Sequence, residues 1–189
     1  MNRYFFMRPL LKQLESAGFV HRLVSITLRA AAALIILFSL VTFFKVGKVI
    51  FELPPSGILG GIFFQACFIL AIYSVVHAIM IRARDIDDLD KEVHSIFPVL
   101  RLLTKLIGEA MAFFIALIAI GGGVYVWFTS RSVATIMDPL PIFLPTFGDA
   151  SFMGGIEFMV GGVLIAIVSL IVMYALSEAM DLLSRLEES

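Results

Sequence analysis

Long apolar runs alternate with short polar segments along the 189-residue chain, and this pattern predicts four membrane-spanning helices. A helix needs about 20 apolar residues to cross a hydrocarbon core of about 30 Å. The candidate spans are Ala30–Phe44 with flanking turns, Ile58–Ile81, Ala110–Thr129 and Ser151–Leu176. The first run is short, but the stems of Arg29 and Lys45, which bracket it, can extend to the headgroups. We therefore expect an all-α integral membrane protein, built as a four-helix bundle.

The second and fourth spans carry one repeated pattern. Leu59-Gly60-Gly61-Ile62 near the start of the second span matches Met153-Gly154-Gly155-Ile156 near the start of the fourth, and Asp87 matches Asp181. Both matches have an offset of 94 residues, so the register holds over about seven helical turns. The repeat predicts two tandem hairpins that are parallel to each other and related by an axis along the membrane normal.

Composition and charge agree with a membrane location. Hydrophobic residues make up 60% of the chain and charged residues 15%, whereas about a quarter of the residues in soluble domains are charged. Eleven of the 14 basic residues fall on one side of the predicted topology. Because basic residues concentrate on the cytoplasmic side, we expect both termini to be cytoplasmic. The net charge of −1 gives no general attraction to nucleic acid.

The segments outside the spans complete the predicted organisation. Residues 1–28 mix basic and apolar side chains, which predicts an interfacial amphipathic helix on the cytoplasmic side, with a frayed basic terminus as the alternative. The first hairpin, 29–92, should extend its second helix into the cytoplasm, because 82–92 contains neither Gly nor Pro. The second hairpin, 93–189, has Pro98 in the first turn of its first helix and ends in a polar cytoplasmic tail.

The outer loop of the second hairpin, 130–150, is too apolar for an ordinary solvated loop. Three arrangements would satisfy its side chains. The loop dips into the membrane interface, packs on a neighbouring subunit, or packs over its own helix ends.

The polar tail adds a family resemblance. The last span runs into Ser177-Glu178-Ala179-Met180-Asp181-Leu182. Together with the span layout, this tail resembles that of small bacterial four-helix membrane proteins of unknown function. The resemblance implies a bacterial inner (cytoplasmic) membrane, and it implies no catalytic residues.

Glycines at helical spacing predict close helix packing, since small residues let helix backbones approach each other in lipid. These candidates are Gly154, Gly155, Gly161 and Gly162 in the fourth span and Gly121, Gly122 and Gly123 in the third. We expect the third and fourth helices to approach closely. The partner helix lies either in this chain, which is favoured, or in another. Three consecutive glycines could instead form a hinge.

Glu157 is the one carboxylate predicted well inside a span, about 9 Å from its outer start. An ionisable group at such a depth is a candidate functional site. Gly154, Glu157 and Gly161 fall on one helical face, so Glu157 should lie where a neighbouring helix approaches. This placement suits a proton or cation site, or a protonated carboxyl hydrogen-bonded across the interface, and exposure to an outer vestibule is a further alternative. The equivalent residue of the first hairpin is Phe63, which argues against a symmetric ion site.

The other reactive side chains suggest no enzyme. Cys67 has no disulfide partner, and His77 lacks the second facing ligand that a bis-histidine haem needs, so interfacial hydrogen bonding is preferred for it. Arg101, Lys105 and Glu109 form a charged stripe at the membrane boundary. No metal-ligand spacing, P-loop, dinucleotide motif or nucleophile elbow is present. We expect no catalytic residues, no metal and no cofactor.

These patterns favour a non-enzymatic assembly component that acts as a homo-oligomer or as an accessory subunit of a larger membrane complex. Its expected partners are the lipid bilayer and other membrane subunits rather than nucleic acid. Four spans enclose little room for a substrate pathway within one chain. The alternative is an ion channel, or a proton- or cation-coupled transporter, that uses Glu157, with a pore formed between subunits.

Overall fold

A computed structural model describes residues 17–89, 97–137 and 148–187, and all regular structure in these ranges is helical. The helices are α1 (Ala17–Phe51), α2 (Pro55–Asp87), α3 (Phe97–Thr129), the short α4 (Ala134–Met137) and α5 (Phe152–Glu187). All but α4 are long and apolar enough to cross a membrane. The prediction of an all-α protein with four apolar helices of spanning length is confirmed.

The helix ends follow local sequence signals. α2 begins at Pro55, where proline costs no hydrogen bond because the first N–H groups of a helix have no partner within it. Pro98 lies in the first turn of α3, as expected. α2 continues past the apolar run to Asp87, and a turn follows in which the Asp88 N–H donates to the Arg84 carbonyl at 3.0 Å.

Parts of the predicted terminal and loop segments lie outside the described residues. Of the expected amphipathic segment 1–28, the structure describes the portion from Ala17 onward, and this portion is continuous with the spanning part of α1. Of the expected cytoplasmic extension of α2, residues 90–92 are not described. In the loop 130–150, the description omits residues 138–147.

Each long helix packs extensively on the next long helix in the sequence: α1 on α2, α2 on α3, and α3 on α5. Neighbouring helices are antiparallel, since Arg29 of α1 bonds Asp87 at the end of α2, and Arg101 near the start of α3 bonds Asp181 near the end of α5. We call the end of the bundle that carries these four residues the charged end. Among the described residues, α1 and α5 do not pack extensively on each other. The spans therefore form an open row, with α3 packed on both α2 and α5.

Among the described residues, the largest core cluster lies toward the end of the bundle opposite the charged end. Phe64 of α2, Ile118 and Tyr125 of α3, and Phe158 of α5 are buried together there. Ile136 of α4 is fully buried in the same cluster. The first part of the loop, 130–137, therefore packs over this chain's own helix ends, which is one of the three predicted arrangements.

Candidate functional site: a polar cluster at the end of an apolar groove

A groove of about 620 Å³ runs along the bundle between α2 and α5, with α3 as its floor. Ala112 and Ala116 keep the floor low because a methyl group fills little of the space between the two walls. On the open side, Phe113 and Ile167 are 51% and 48% exposed. This side faces lipid chains when the helices span a bilayer. The volume and the apolar lining are typical of small-molecule sites.

A polar cluster lies at the end of the groove nearest the charged end. Arg82 of α2 donates from Nε to Glu109 Oε2 of α3 at 3.0 Å and also bonds Glu109 Oε1 through Nη2. Its Nη1 donates to Asp85 Oδ2 at 2.9 Å. From α5, the Tyr174 hydroxyl donates to Glu109 Oε1 at 2.6 Å. The Arg82 and Glu109 side chains are only 19% and 16% exposed, so three spans share one charge-assisted network away from bulk solvent.

The charged stripe of α3 explains how this cluster forms. Arg101, Lys105 and Glu109 recur every four residues and therefore share one helical face. The Arg101 Nη1 atom donates to Asp181 at 2.6 Å, and the Lys105 Nζ atom lies 5.3 Å from the centre of the Tyr174 ring, within the range of a cation–π contact. The stripe predicted for the membrane boundary thus points toward α5 and α2.

Two ion pairs at the charged end belong to the sequence repeat. Asp87 pairs with Arg29 at 2.5 Å, and Asp181 pairs with Arg101 at 2.6 Å. The two aspartates occupy equivalent positions, and each bonds an arginine on the spanning helix that precedes its own. Because all four side chains are partly exposed, each pair is worth no more than about 1 kcal/mol.

Glu157 lies on the exposed side of α5. No helix in the described part of this chain covers it, so the predicted approach of a neighbouring helix to this face stays a prediction for a helix of another chain. Its equivalent in α2, Phe63, is exposed as well. Glu157 is 17 residues from Tyr174, or about 25 Å along the helix, so it does not belong to the polar cluster.

The glycines of α3 and α5 lie at helix contacts. A Cβ atom on Gly121 would come within 2.8 Å of the Cys67 Cβ of α2, and one on Gly122 within 2.6 Å of the Phe158 ring of α5. One on Gly155 would come within 2.5 Å of Trp127 Nε1. Real Cβ atoms do not approach so closely, so a larger residue at any of these positions requires the facing side chain or helix to shift.

The remaining predicted glycines divide into two groups. Gly123 and Gly162 face the other helix of the α3–α5 pair, and Gly154 is enclosed by the backbone of Asp149. By contrast, a Cβ atom on Gly161 would meet open space among the described residues. α3 runs unbroken through Gly121, Gly122 and Gly123, so the helix is continuous at the place proposed for a hinge.

Three further polar contacts join the helices or line the groove. Gln65 Nε2 donates to the Phe43 carbonyl of α1 at 3.0 Å, and Trp127 Nε1 donates to the Phe152 carbonyl of α5 at 2.9 Å. The His77 ring stacks on Tyr73 at the rim of the groove, with a centroid distance of 5.7 Å. Among the residues that the structure describes, no group of His, Cys, Asp and Glu could hold a metal ion.

No protein-family model, no curated protein and no solved structure matches this chain.

The polar cluster was not predicted as a site. Glu109 was assigned to the boundary stripe because it lies next to the apolar run that begins at Ala110. Arg82 and Tyr174 stand in two other helices, and no local spacing links them to Glu109. The one available signal was an arginine, a glutamate and a tyrosine near the same end of three successive spans.

Proposed function

We propose that this protein is a non-enzymatic assembly component of the bacterial inner membrane, acting as a homo-oligomer or as an accessory subunit of a larger membrane complex. In the proposed topology, α1 with α2 and α3 with α5 form two tandem hairpins, and both chain termini are cytoplasmic. The placement of 11 of the 14 basic residues supports this orientation.

The observation that carries the proposal is the open row of spans. In their most hydrophobic stretches, α2 and α3 are 39% and 44% buried, whereas α1 and α5 are each 11% buried. The two outer helices therefore offer long apolar surfaces to lipid or to other helices. Because lipid chains are as apolar as these surfaces, helix association in a bilayer depends on close packing around small residues.

Gly161 is the best candidate for such a contact on α5. Gly155 and Gly162 face α3, whereas no described residue fills the space beside Gly161. The side chains of Val160 and Leu164, which stand on either side of it in the sequence, are exposed. A small residue between larger exposed side chains provides a notch that a partner helix can enter.

The substitution Gly161→Leu tests the proposal. We expect the variant to keep its helix content and thermal stability, because the added side chain does not meet α3. We also expect the variant to be lost from the assembly. Light scattering should then give a lower mass for the gently extracted complex. The control is Val172→Leu, which also introduces a leucine but at another exposed position of α5. A folded Gly161→Leu variant in a complex of unchanged mass would contradict the proposal.

One observation favours a second candidate function. Glu157 and Gly161 lie one turn apart on α5, and Glu157 is exposed. An assembly formed through Gly161 would bring Glu157 to the boundary between subunits. This arrangement suits an ion channel, or a proton- or cation-coupled transporter, with its pathway between copies. For this candidate, Glu157→Gln should abolish a measurable flux in liposomes while the mass of the complex stays the same.

A further inference from the structure

The groove between α2, α3 and α5 points to a ligand that lies beyond the assembly role and does not depend on it. We propose that the groove binds one membrane-borne molecule that has a neutral planar ring, hydrogen-bonding oxygens on that ring and an apolar chain. This is the chemical class of the lipid quinones. The open side of the groove, its charges, its unused polar groups and its shape each support this class.

The open side sets the route of entry. Phe113 and Ile167, which border it, belong to spanning helices and are half-exposed, so a ligand enters from the hydrocarbon region. The ligand must therefore be soluble in lipid. A volume of about 620 Å³ lies within the roughly 300–1,000 Å³ of ordinary ligand sites and can hold a ring with the first part of a chain.

The charges of the groove disfavour an anionic headgroup. Among the described residues, Arg82 is the cation that lines the groove, and its guanidinium already bonds two carboxylates, those of Glu109 and Asp85. A lipid phosphate would have to compete with these two carboxylates for the guanidinium. Lys105 stands over the Tyr174 ring and does not line the groove. A neutral headgroup fits this balance of charge, because it leaves the ion pairs intact.

The unused polar groups of the groove are a hydroxyl and an imidazole. Ser74 and His77 line the groove, three residues apart and therefore about one turn apart on α2. Within the described ranges, neither side chain forms a hydrogen bond. A hydroxyl and a neutral imidazole can each donate or accept. Both can thus bond the carbonyl oxygens of a quinone or the hydroxyls of the reduced form.

The shape of the groove favours a flat ring. His77 and Tyr73 stack with an angle of 10° between their planes and form a flat aromatic rim. At Ala112 and Ala116 the floor of the groove carries only methyl groups, so no bulky side chain stands there opposite the rim. A planar ring can lie in this space and gain offset stacking with the rim, a contact worth more than the burial of area alone.

The test measures equilibrium binding of radiolabelled decylubiquinone to the full-length protein in nanodiscs of phosphatidylethanolamine and phosphatidylglycerol. Empty nanodiscs give the background from partition into lipid. We expect saturable binding of one molecule per chain. Ala116→Phe should weaken it at least tenfold by filling the floor. Ala66→Phe, the same change at an exposed position of α2 outside the groove, should leave it unchanged.

A double variant tests the polar contacts without filling the groove. Ser74→Ala with His77→Phe keeps an aromatic ring on Tyr73 and removes both hydrogen-bonding groups. We expect affinity to fall about tenfold, the loss of two ordinary hydrogen bonds. If Ala116→Phe does not fold, as judged by helix content and thermal unfolding, this double variant decides the outcome.

Three results would overturn the proposal. The first is an absence of saturable binding by the wild-type protein. The second is full binding by both the folded Ala116→Phe protein and the double variant. The third is a phospholipid that copurifies with the wild type, resists displacement by decylubiquinone and is lost from Ala116→Phe, since the occupant would then be a lipid with a charged headgroup.

Discussion

Arg82 of α2 and Glu109 of α3 are joined by two contacts between guanidinium nitrogens and carboxylate oxygens. Tyr174 of α5 donates to the same carboxylate, so one ion pair connects three of the four spans. A largely buried charge without a partner costs several kcal/mol, so the helices are favoured in the arrangement that brings Arg82 and Glu109 together. The network therefore fixes the position of α2, α3 and α5 relative to one another at the end of the groove.

Removal of one member of the pair should be costly. We expect Glu109→Met to lower the free energy of unfolding by about 3 kcal/mol, because Arg82 then keeps only Asp85 as a partner. The double variant Arg82→Met with Glu109→Met should regain much of this loss, since the one carboxylate that it leaves without Arg82, that of Asp85, is 39% exposed and stays hydrated. Reversible unfolding in a bilayer mimic measures both. A double variant whose loss equals or exceeds the sum of the two single losses would show that the pair is not coupled.

The Tyr174 hydroxyl makes a smaller and separable contribution. Tyr174→Phe removes one hydrogen bond to a charged group and should cost about 1.5 kcal/mol, while the ring beneath Lys105 remains. Tyr73→Phe is the matched control, because the Tyr73 ring is exposed and its expected effect is below about 0.5 kcal/mol. Equal effects of the two changes on unfolding would mean that the bond to Glu109 contributes nothing.

The ion pairs at the charged end should matter much less for stability. Asp87→Asn and Asp181→Asn are each expected to cost less than about 1 kcal/mol, since their partners remain partly exposed to solvent. The cost should shrink further in high salt, which screens exposed charges. Unfolding measured at two salt concentrations checks both statements. A loss as large as that of Glu109→Met would contradict this ranking of the pairs.

Two glycines of α5 should respond differently to the same substitution. Gly155→Leu places a side chain where Trp127 of α3 already lies, so we expect a loss of at least about 2 kcal/mol and weaker packing of α5 on α3. Gly161→Leu should change the free energy of unfolding by less than about 0.5 kcal/mol. Thermal unfolding in one detergent compares them directly. The reverse order would mean that α5 is turned about its axis from the orientation described above.

Sequence patterns were sufficient to predict the number and type of the long helices. Uninterrupted apolar runs of about 20 residues have few alternatives in a membrane protein, because every backbone polar group must be satisfied within the helix. The repeat also matches Asp87 with Asp181, and in the structure each of them bonds an arginine at the charged end.

The direction in which each helix face points was harder to predict. Glu157 is a candidate site because of its predicted depth in a span. That depth follows from the sequence of one helix, which does not show which face of the helix is covered by neighbouring helices. Glu109 belongs to a stripe of three charged residues at a spacing of four, but its partners Arg82 and Tyr174 are 27 and 65 residues away. Contacts at such separations depend on how the helices pack, which periodicity along a single helix does not determine.

The central claim is that this chain works as part of an assembly, and its mass in the native membrane tests that claim most directly. The protein should be extracted gently with its surrounding lipid, and its mass and all copurifying chains determined by native mass spectrometry. We predict either a defined multiple of the 20.9 kDa chain or a stoichiometric complex with another membrane protein, lost in Gly161→Leu. A single chain with no partner, found at native abundance and in native lipid, would contradict the account.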